Sequence, residues 1–152
     1  MDLAQIEGLP VRGDLKIVLF DAEGREKERH HFTNLVVTAG KGVIADRMKG
    51  TPAKAAMTHM AVGTNNTAAA AGDTTLGAEV GSSRTALSST SVSTNVITYA
   101  CTFAAGTGTG ALTEAGIFNA SSAGDMLCRT VFSTVTKGAS DTMTITWTVT
   151  VG

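Results

Sequence analysis

The sequence predicts a mainly β protein, an antiparallel β-sandwich or jelly roll with one short helix. Three observations carry that expectation. Only 16% of the 152 residues are charged and 5% aromatic, while Thr occurs 24 times, Ala 22 and Gly 17. A chain rich in β-branched and turn-forming residues and poor in large apolar ones suits many short strands better than a helical bundle. Residues 142–151 alternate without a break, Thr at every even position against Met143, Ile145, Trp147, Val149 and Val151. That period of two sends one face to a core and the other outward. Turn-forming clusters punctuate the second half at 106–110, 119–124 and 137–141, the spacing of hairpin connections.

The elements follow in chain order. Residues 14–20 read as a strand, 21–24 as a turn with Gly24 free to take a positive φ, and about 25–37 as the returning arm of a hairpin. That arm is polar over 25–31 and expected to be exposed. Residues 38–49 predict the helix, with Thr38 as its N-cap and Val43, Ile44 and Met48 at helical spacing. Gly50 is its stop and Pro52 lies beyond. Gly40 and Gly42 weaken it by about 1 kcal/mol each. A strand at 56–62 leads into a long aperiodic loop, 63–75, of the kind that is functional or packed on a neighbour. Residues 76–80 suit a single helical turn. From 84 onward the pattern is β. Ile97, Tyr99, Cys101 and Phe103 share one face, and strands follow at 111–118, 126–136 and 142–151.

Charge divides the chain unevenly: 17 of its 25 charged residues fall in the first 60 positions. Sixty residues make a marginal core alone. The expectation is one domain over 1–152, with a charged hairpin-and-helix sub-region (about 1–55) and a β-sandwich core (about 56–152).

Several function classes are disfavoured. A net charge of −1 argues against a strongly basic nucleic-acid binder. No apolar run reaches the ~18 residues of a membrane span, and the first residues lack the basic and apolar regions of a secretory signal. Cys101 and Cys128 have no CxxC spacing, so buried free thiols are expected. His30 and His31 point to opposite faces of a strand, which with His59 makes a poor metal set. The sequence contains no GxSxG, GxxxxGK[ST] or strand–GxGxxG–helix unit. The chain is therefore expected to be no enzyme, with no cofactor, metal or catalytic residue.

Two groups are candidates for contact with a protein partner. Arg25, Lys27 and Arg29 lie on the polar hairpin arm; Asn65, Asn66 and Thr67 lie on the long loop. One pair of residues stands apart. Glu114 shares the strand face of Leu112, Gly116 and Phe118, and Arg129 aligns with Leu127 and Val131 on the next strand. A carboxylate on an apolar face needs a partner, so a cross-strand Glu114–Arg129 ion pair is expected.

These residues also carry a resemblance. Residues 59–67, His-Met-Ala-Val-Gly-Thr-Asn-Asn-Thr, and 73–80, Asp-Thr-Thr-Leu-Gly-Ala-Glu-Val, with Arg84, resemble a segment of small tailed-bacteriophage structural proteins. So do 112–119, Leu-Thr-Glu-Ala-Gly-Ile-Phe-Asn, 126–132, Met-Leu-Cys-Arg-Thr-Val-Phe, the close at 137–147, and the upstream 34–40 with the helix. The resemblance spans about 57–150. The 112–118 signature is similar to that of tail-collar fibre proteins as well. It implies a virion protein assembled in the host bacterial cytoplasm. A compact chain lacking the repeats or heptads of a fibre shaft fits a head cement or decoration protein, self-associated as a homotrimer and bound to the major capsid protein. The alternative is a tail, collar or baseplate component that binds other tail proteins or a host receptor. Neither reading involves nucleic acid or membrane.

Overall fold

The computed structural model describes residues 8–152. Half of the chain is strand, all of it antiparallel, with one helix among the described residues. A hairpin opens the fold. Strand β1 (Val11–Phe20) turns at Asp21 and Gly24, which takes φ 80°, into β2 (Glu26–Val36). Leu15, Ile17 and Leu19 of β1 face the core. The polar stretch of β2 stays exposed or half-buried, as its composition dictates.

Helix α1 (Thr38–Arg47) follows directly. Thr38 does not cap it. The N-cap is Val37, whose backbone is extended and which makes no side-chain cap bond. The Thr38 amide is instead taken by the Ala71 carbonyl, 2.8 Å away in the long loop, so a tertiary contact replaces the local cap. Gly40 is buried against β8 (Met126–Lys137), where a Cβ would collide with the Leu127 carbonyl. That close approach explains a glycine inside a helix. Met48, expected on the apolar face, lies just past the helix end and is 83% exposed.

The remaining strands are β3 (His59–Gly63), β4 (Thr85–Ala86), β5 (Ser89–Ser93), β6 (Val96–Phe103), β7 (Gly110–Phe118) and β9 (Thr142–Val151). Residues 76–80 form no helical turn. They run extended enough for Glu79 to bridge Gly63 and for the Val80 amide to reach the Val62 carbonyl at 2.9 Å.

The nine strands among the described residues belong to one sheet, ordered β4-β3-β7-β8-β2-β1-β9-β6-β5, curled into a half-barrel. The pairing is therefore a single continuous ladder, and the mainly antiparallel β architecture with one helix that the sequence predicts is what the chain adopts. Strands β2 and β8 are joined only at Leu35–Arg129 and Val36–Cys128, as few pairs as hold the edge strand β4 to β3. The two edge strands, β4 and β5, are separated by just Leu87 and Ser88. The Leu87 amide bonds the Thr58 carbonyl beside β3, and the Ser88 amide bonds Ala100 of β6. The chain itself thus passes from one edge of the sheet to the other.

The curl encloses a core of Leu15, Ile17, Met60, Tyr99, Phe103, Ile145, Trp147 and their neighbours. The alternation in β9 is obeyed throughout: its odd positions are buried up to Val149, and its threonines are half-buried on the other face. A second, smaller cluster (Val37, Ala61, Leu76, Phe118, Met126) forms where the 64–80 loop folds over the outer face of β3 and β7.

Candidate interaction site: a loop held by a buried ion cluster

A β-bulge creates the site. The β7–β8 register shifts between Leu112 and Glu114, so these two side chains do not share a face as strict alternation requires. Leu112 enters the main core, while Glu114 turns outward with Gly116 and Phe118 and is covered by the loop. Gly63 and Gly116 make room for that cover. A Cβ on Gly63 would strike the Glu114 carboxylate and the Ala78 carbonyl, and one on Gly116 would press Leu76 at 3.0 Å.

Glu114 is fully buried and Arg129 is 3% exposed. Arg129 Nε donates to Glu114 Oε2 at 2.9 Å. Their strands place them diagonally, since Arg129 stands opposite Gly116 and Glu114 opposite Val131. The carboxylate also accepts three backbone N–H groups of the loop: Ala78 at 2.7 Å, Gly77 at 2.9 Å and Asn65 at 3.3 Å. Arg129 reaches the loop in turn, donating through Nη1 to Asp73 at 2.9 Å and through Nη2 to the Thr67 carbonyl at 3.0 Å. Both buried charges are thereby paired and hydrogen-bonded, the condition on which burial of ions is tolerated. The 65–78 segment has almost no strand pairing of its own; this cluster holds its backbone at Asn65, Thr67, Gly77 and Ala78, and the Thr38 amide holds it at Ala71.

Arg84 makes a second clamp. It pairs with Glu79 at 2.8 Å, donates to the carbonyls of Ala120 and Ala123, and lies 3.7 Å over the Phe118 ring, a cation–π contact.

The sequence-derived candidates divide. Asn65 and Thr67 are structural. Asn65 Oδ1 caps the Thr67 amide at 2.8 Å, and the Thr67 carbonyl serves Arg129. Asn66 remains exposed, on the rim of a hollow of about 270 Å³ with Asn34 and Thr130. On the hairpin, Arg25 pairs with Asp21 at 2.9 Å, Arg29 with Glu26 at 2.7 Å and Lys27 with Asp141 at 2.9 Å. The Arg25 and Arg29 pairs are exposed and hold little energy, so these two cations stay available to a partner's carboxylates, whereas Lys27 is bound to an Asp141 that is itself buried. No hydrogen bond or ion pair among the described residues connects the hairpin with the loop; they are separate surfaces.

Asp73, Gly77 and Arg84 were not singled out as site residues from sequence. All three do stand in the segments of resemblance, and a buried arginine next to one glutamate signals a need for a further acceptor.

The other reactive groups are dispersed. His30 bonds Glu28 at 2.8 Å and stacks on Phe32, His31 faces Asp14 at 3.5 Å, and His59 bonds Thr58. Cys101 and Cys128 are free and buried, and burial pushes both thiols up to about 12.

Asp73 gives the cluster a pH signature. The Ala70 amide and, after it, the Arg129 guanidinium hold its carboxyl below the usual range. A depressed folded-state pKa contributes stability above the unfolded value of about 3.9 and loses it as pH falls through the folded value. Asp73→Asn is expected to lower the urea midpoint at pH 7. The gap to the parent should close below about pH 4; a gap constant with pH would show that Asp73 is not charged in its contact.

Comparison with known proteins adds no relative: no protein-family model, no curated protein and no solved structure matches this chain.

Proposed function

We propose that this chain is a non-enzymatic structural component of a tailed-bacteriophage virion, and within it a head cement protein that clamps neighbouring capsid subunits. The observation that carries the reading is a convergence. Four of the segments that resemble phage structural proteins (59–67, 73–80, 112–119 and 126–132) supply Asn65, Asp73, Gly77, Glu114 and Arg129 to one cluster. What that cluster does is immobilise a loop. A loop ordered before binding loses little entropy on docking, which suits a clamp whose many copies act together through avidity.

In this reading the pinned loop and the charged hairpin, through Arg25, Lys27 and Arg29, meet the major capsid protein. The half-buried threonine face of β9 belongs to contacts among copies, in a homotrimer whose curled sheet serves as a sandwich-type core. The threonine face suits that role because hydroxyls can be buried against a copy at far less desolvation cost than charges.

Copy number on purified particles tests the proposal. Hundreds of copies distributed over the shell are expected, and particles depleted of the protein should release DNA at lower temperature with adsorption unchanged. A dozen or fewer copies at one vertex would replace this reading with a tail, collar or baseplate role. Absence from particles would overturn both.

A further inference from the structure

A second loop stands beside the pinned one, and Arg84 joins the two. The β7–β8 connection, residues 119–125, reads Asn-Ala-Ser-Ser-Ala-Gly-Asp. Its ends lock on each other: the Asn119 amide donates to the Asp125 carbonyl at 3.2 Å, and the Asp125 amide donates to Asn119 Oδ1 at 2.8 Å. Lys54 holds the Asp125 carboxylate from outside at 3.0 Å. Between those ends Ala123 and Gly124 take φ of 51° and 73°. For Ala123 that is the left-handed region, which a Cβ disfavours and which persists only where the surroundings impose it. Arg84 helps to impose it, donating through Nη1 to the carbonyls of Ala120 at 3.0 Å and Ala123 at 3.1 Å. The same guanidinium donates to both carboxylate oxygens of Glu79, at the end of the pinned loop. It also lies on Phe118, whose ring shares an apolar cluster with Leu76 of that loop. One side chain thus fixes 119–125 against 64–79.

We infer that these two loops form one composite contact face, and that it takes an uncharged protein surface. The partner's identity, the major capsid protein, rests on the cement reading above. The first support is charge. The two segments hold three charged residues, Asp73, Glu79 and Asp125, and each is engaged by a cation of this chain: Arg129 at 2.9 Å, Arg84 at 2.8 Å and Lys54 at 3.0 Å. What the loops expose is neutral and short, including Asn66, Thr67, Thr74, Ser121 and Ser122. A charged group docked there would lose water with no net counter-charge to meet it, a cost that neutral hydrogen-bonding groups largely avoid. Depletion of charge is also what marks the buried centre of protein interfaces.

The second support is order. Both loops are held by side chains from outside them, so their exposed atoms are in place before a partner arrives. Ser, Thr and Asn also lose less rotamer freedom on docking than Lys or Arg would. Within the pinned loop a hollow of about 420 Å³, with Thr67, Thr74 and Gly77 in its lining, leaves room for a partner's side chain.

Binding of the full chain to phage particles depleted of it tests the inference. Asn66→Trp and Ser122→Trp add bulk at an exposed position on each loop. Each should weaken binding about tenfold or more, with the urea midpoint unchanged. Thr109→Trp, exposed at the opposite end of β7, should bind as the parent does. A further arm uses Arg25→Gln with Arg29→Gln, which removes two hairpin cations. Binding of that variant should change less than about threefold between about 0.05 and 0.5 M salt. A steep loss with salt would mean that the loops meet charge, and no binding even at low salt would give the contact to the hairpin. Either result overturns the inference, as does parent-like binding by either loop variant or weakening by Thr109→Trp equal to theirs. A parent chain that leaves depleted particles bare refutes the cement reading itself, a result distinct from any behaviour of the variants.

Discussion

Arg129→Ala is expected to lower the unfolding free energy by about 3–5 kcal/mol, the cost of stranding a buried charge. The partner left behind is Glu114, fully buried, with no other cation on its carboxylate among the described residues. Asp73 is left with the Ala70 amide alone, and the Thr67 carbonyl loses its donor, at the same time. Urea unfolding measures the loss. Elastase cleavage within 64–79 should accelerate as well, because the loop is held by these bonds. A second variant separates this cluster from an ordinary ion pair. Replacing both partners of a buried pair by apolar residues is often neutral or stabilising. Here the Arg129→Met, Glu114→Met double variant is expected to be no more stable than Arg129→Ala alone. Removing Glu114 orphans the amides of Asn65, Gly77 and Ala78, each costing about 1–3 kcal/mol when buried without a partner. Recovery in the double variant would mean that the loop can settle elsewhere, and the cluster would lose its claim to position it.

The Glu114–Arg129 meeting was legible from sequence because it rests on a local necessity: a carboxylate and a guanidinium on neighbouring strands, each amid apolar residues. Three of the partners that complete the cluster were not. Gly77, Ala78 and Asn65 contribute backbone N–H groups, which every residue but proline carries, so residue type gives no signal. The register shift between Leu112 and Glu114 was likewise hidden. Strict alternation put the two on one face, and the irregularity that sets Phe132, Ser133 and Thr134 of β8 against Thr113 alone separates them. Elsewhere, pattern served where one face is dry and the other wet, as in β9 and in Tyr99, Cys101 and Phe103 of β6. It failed where tertiary contacts decide. Thr38 gives its amide to Ala71 instead of capping α1, and residues 76–80 are drawn out along β3 instead of winding. The closure of the sheet was the least legible feature. It depends on two pairs between β2 and β8 and on two residues, Leu87 and Ser88, that carry the chain between opposite edges.

Trp147→Ala should match Arg129→Ala in size, about 3–5 kcal/mol, for the opposite reason: lost packing and a cavity in place of a stranded charge. Trp147 is the chain's one tryptophan, fully buried at the middle of β9, flanked by Leu15 on β1 and Tyr99 on β6. Its indole Nε1 has no hydrogen-bond partner, so part of what the ring contributes is already spent on a desolvated N–H. That predicts an asymmetry. Trp147→Phe, which keeps most of the apolar area and discards the unsatisfied donor, should cost only about 1 kcal/mol. On the other face of the strand, Thr146→Ala should change stability by less than about 0.5 kcal/mol in the isolated chain. Circular dichroism during urea unfolding follows all three, since two of them lack the fluorophore. If Thr146→Ala proved as costly as Trp147→Ala, the division of β9 into a core face and an outer face would fail. If Thr146→Ala is silent in the isolated chain but weakens association among copies, the threonine ladder contributes to assembly rather than to folding, as the proposed trimer requires.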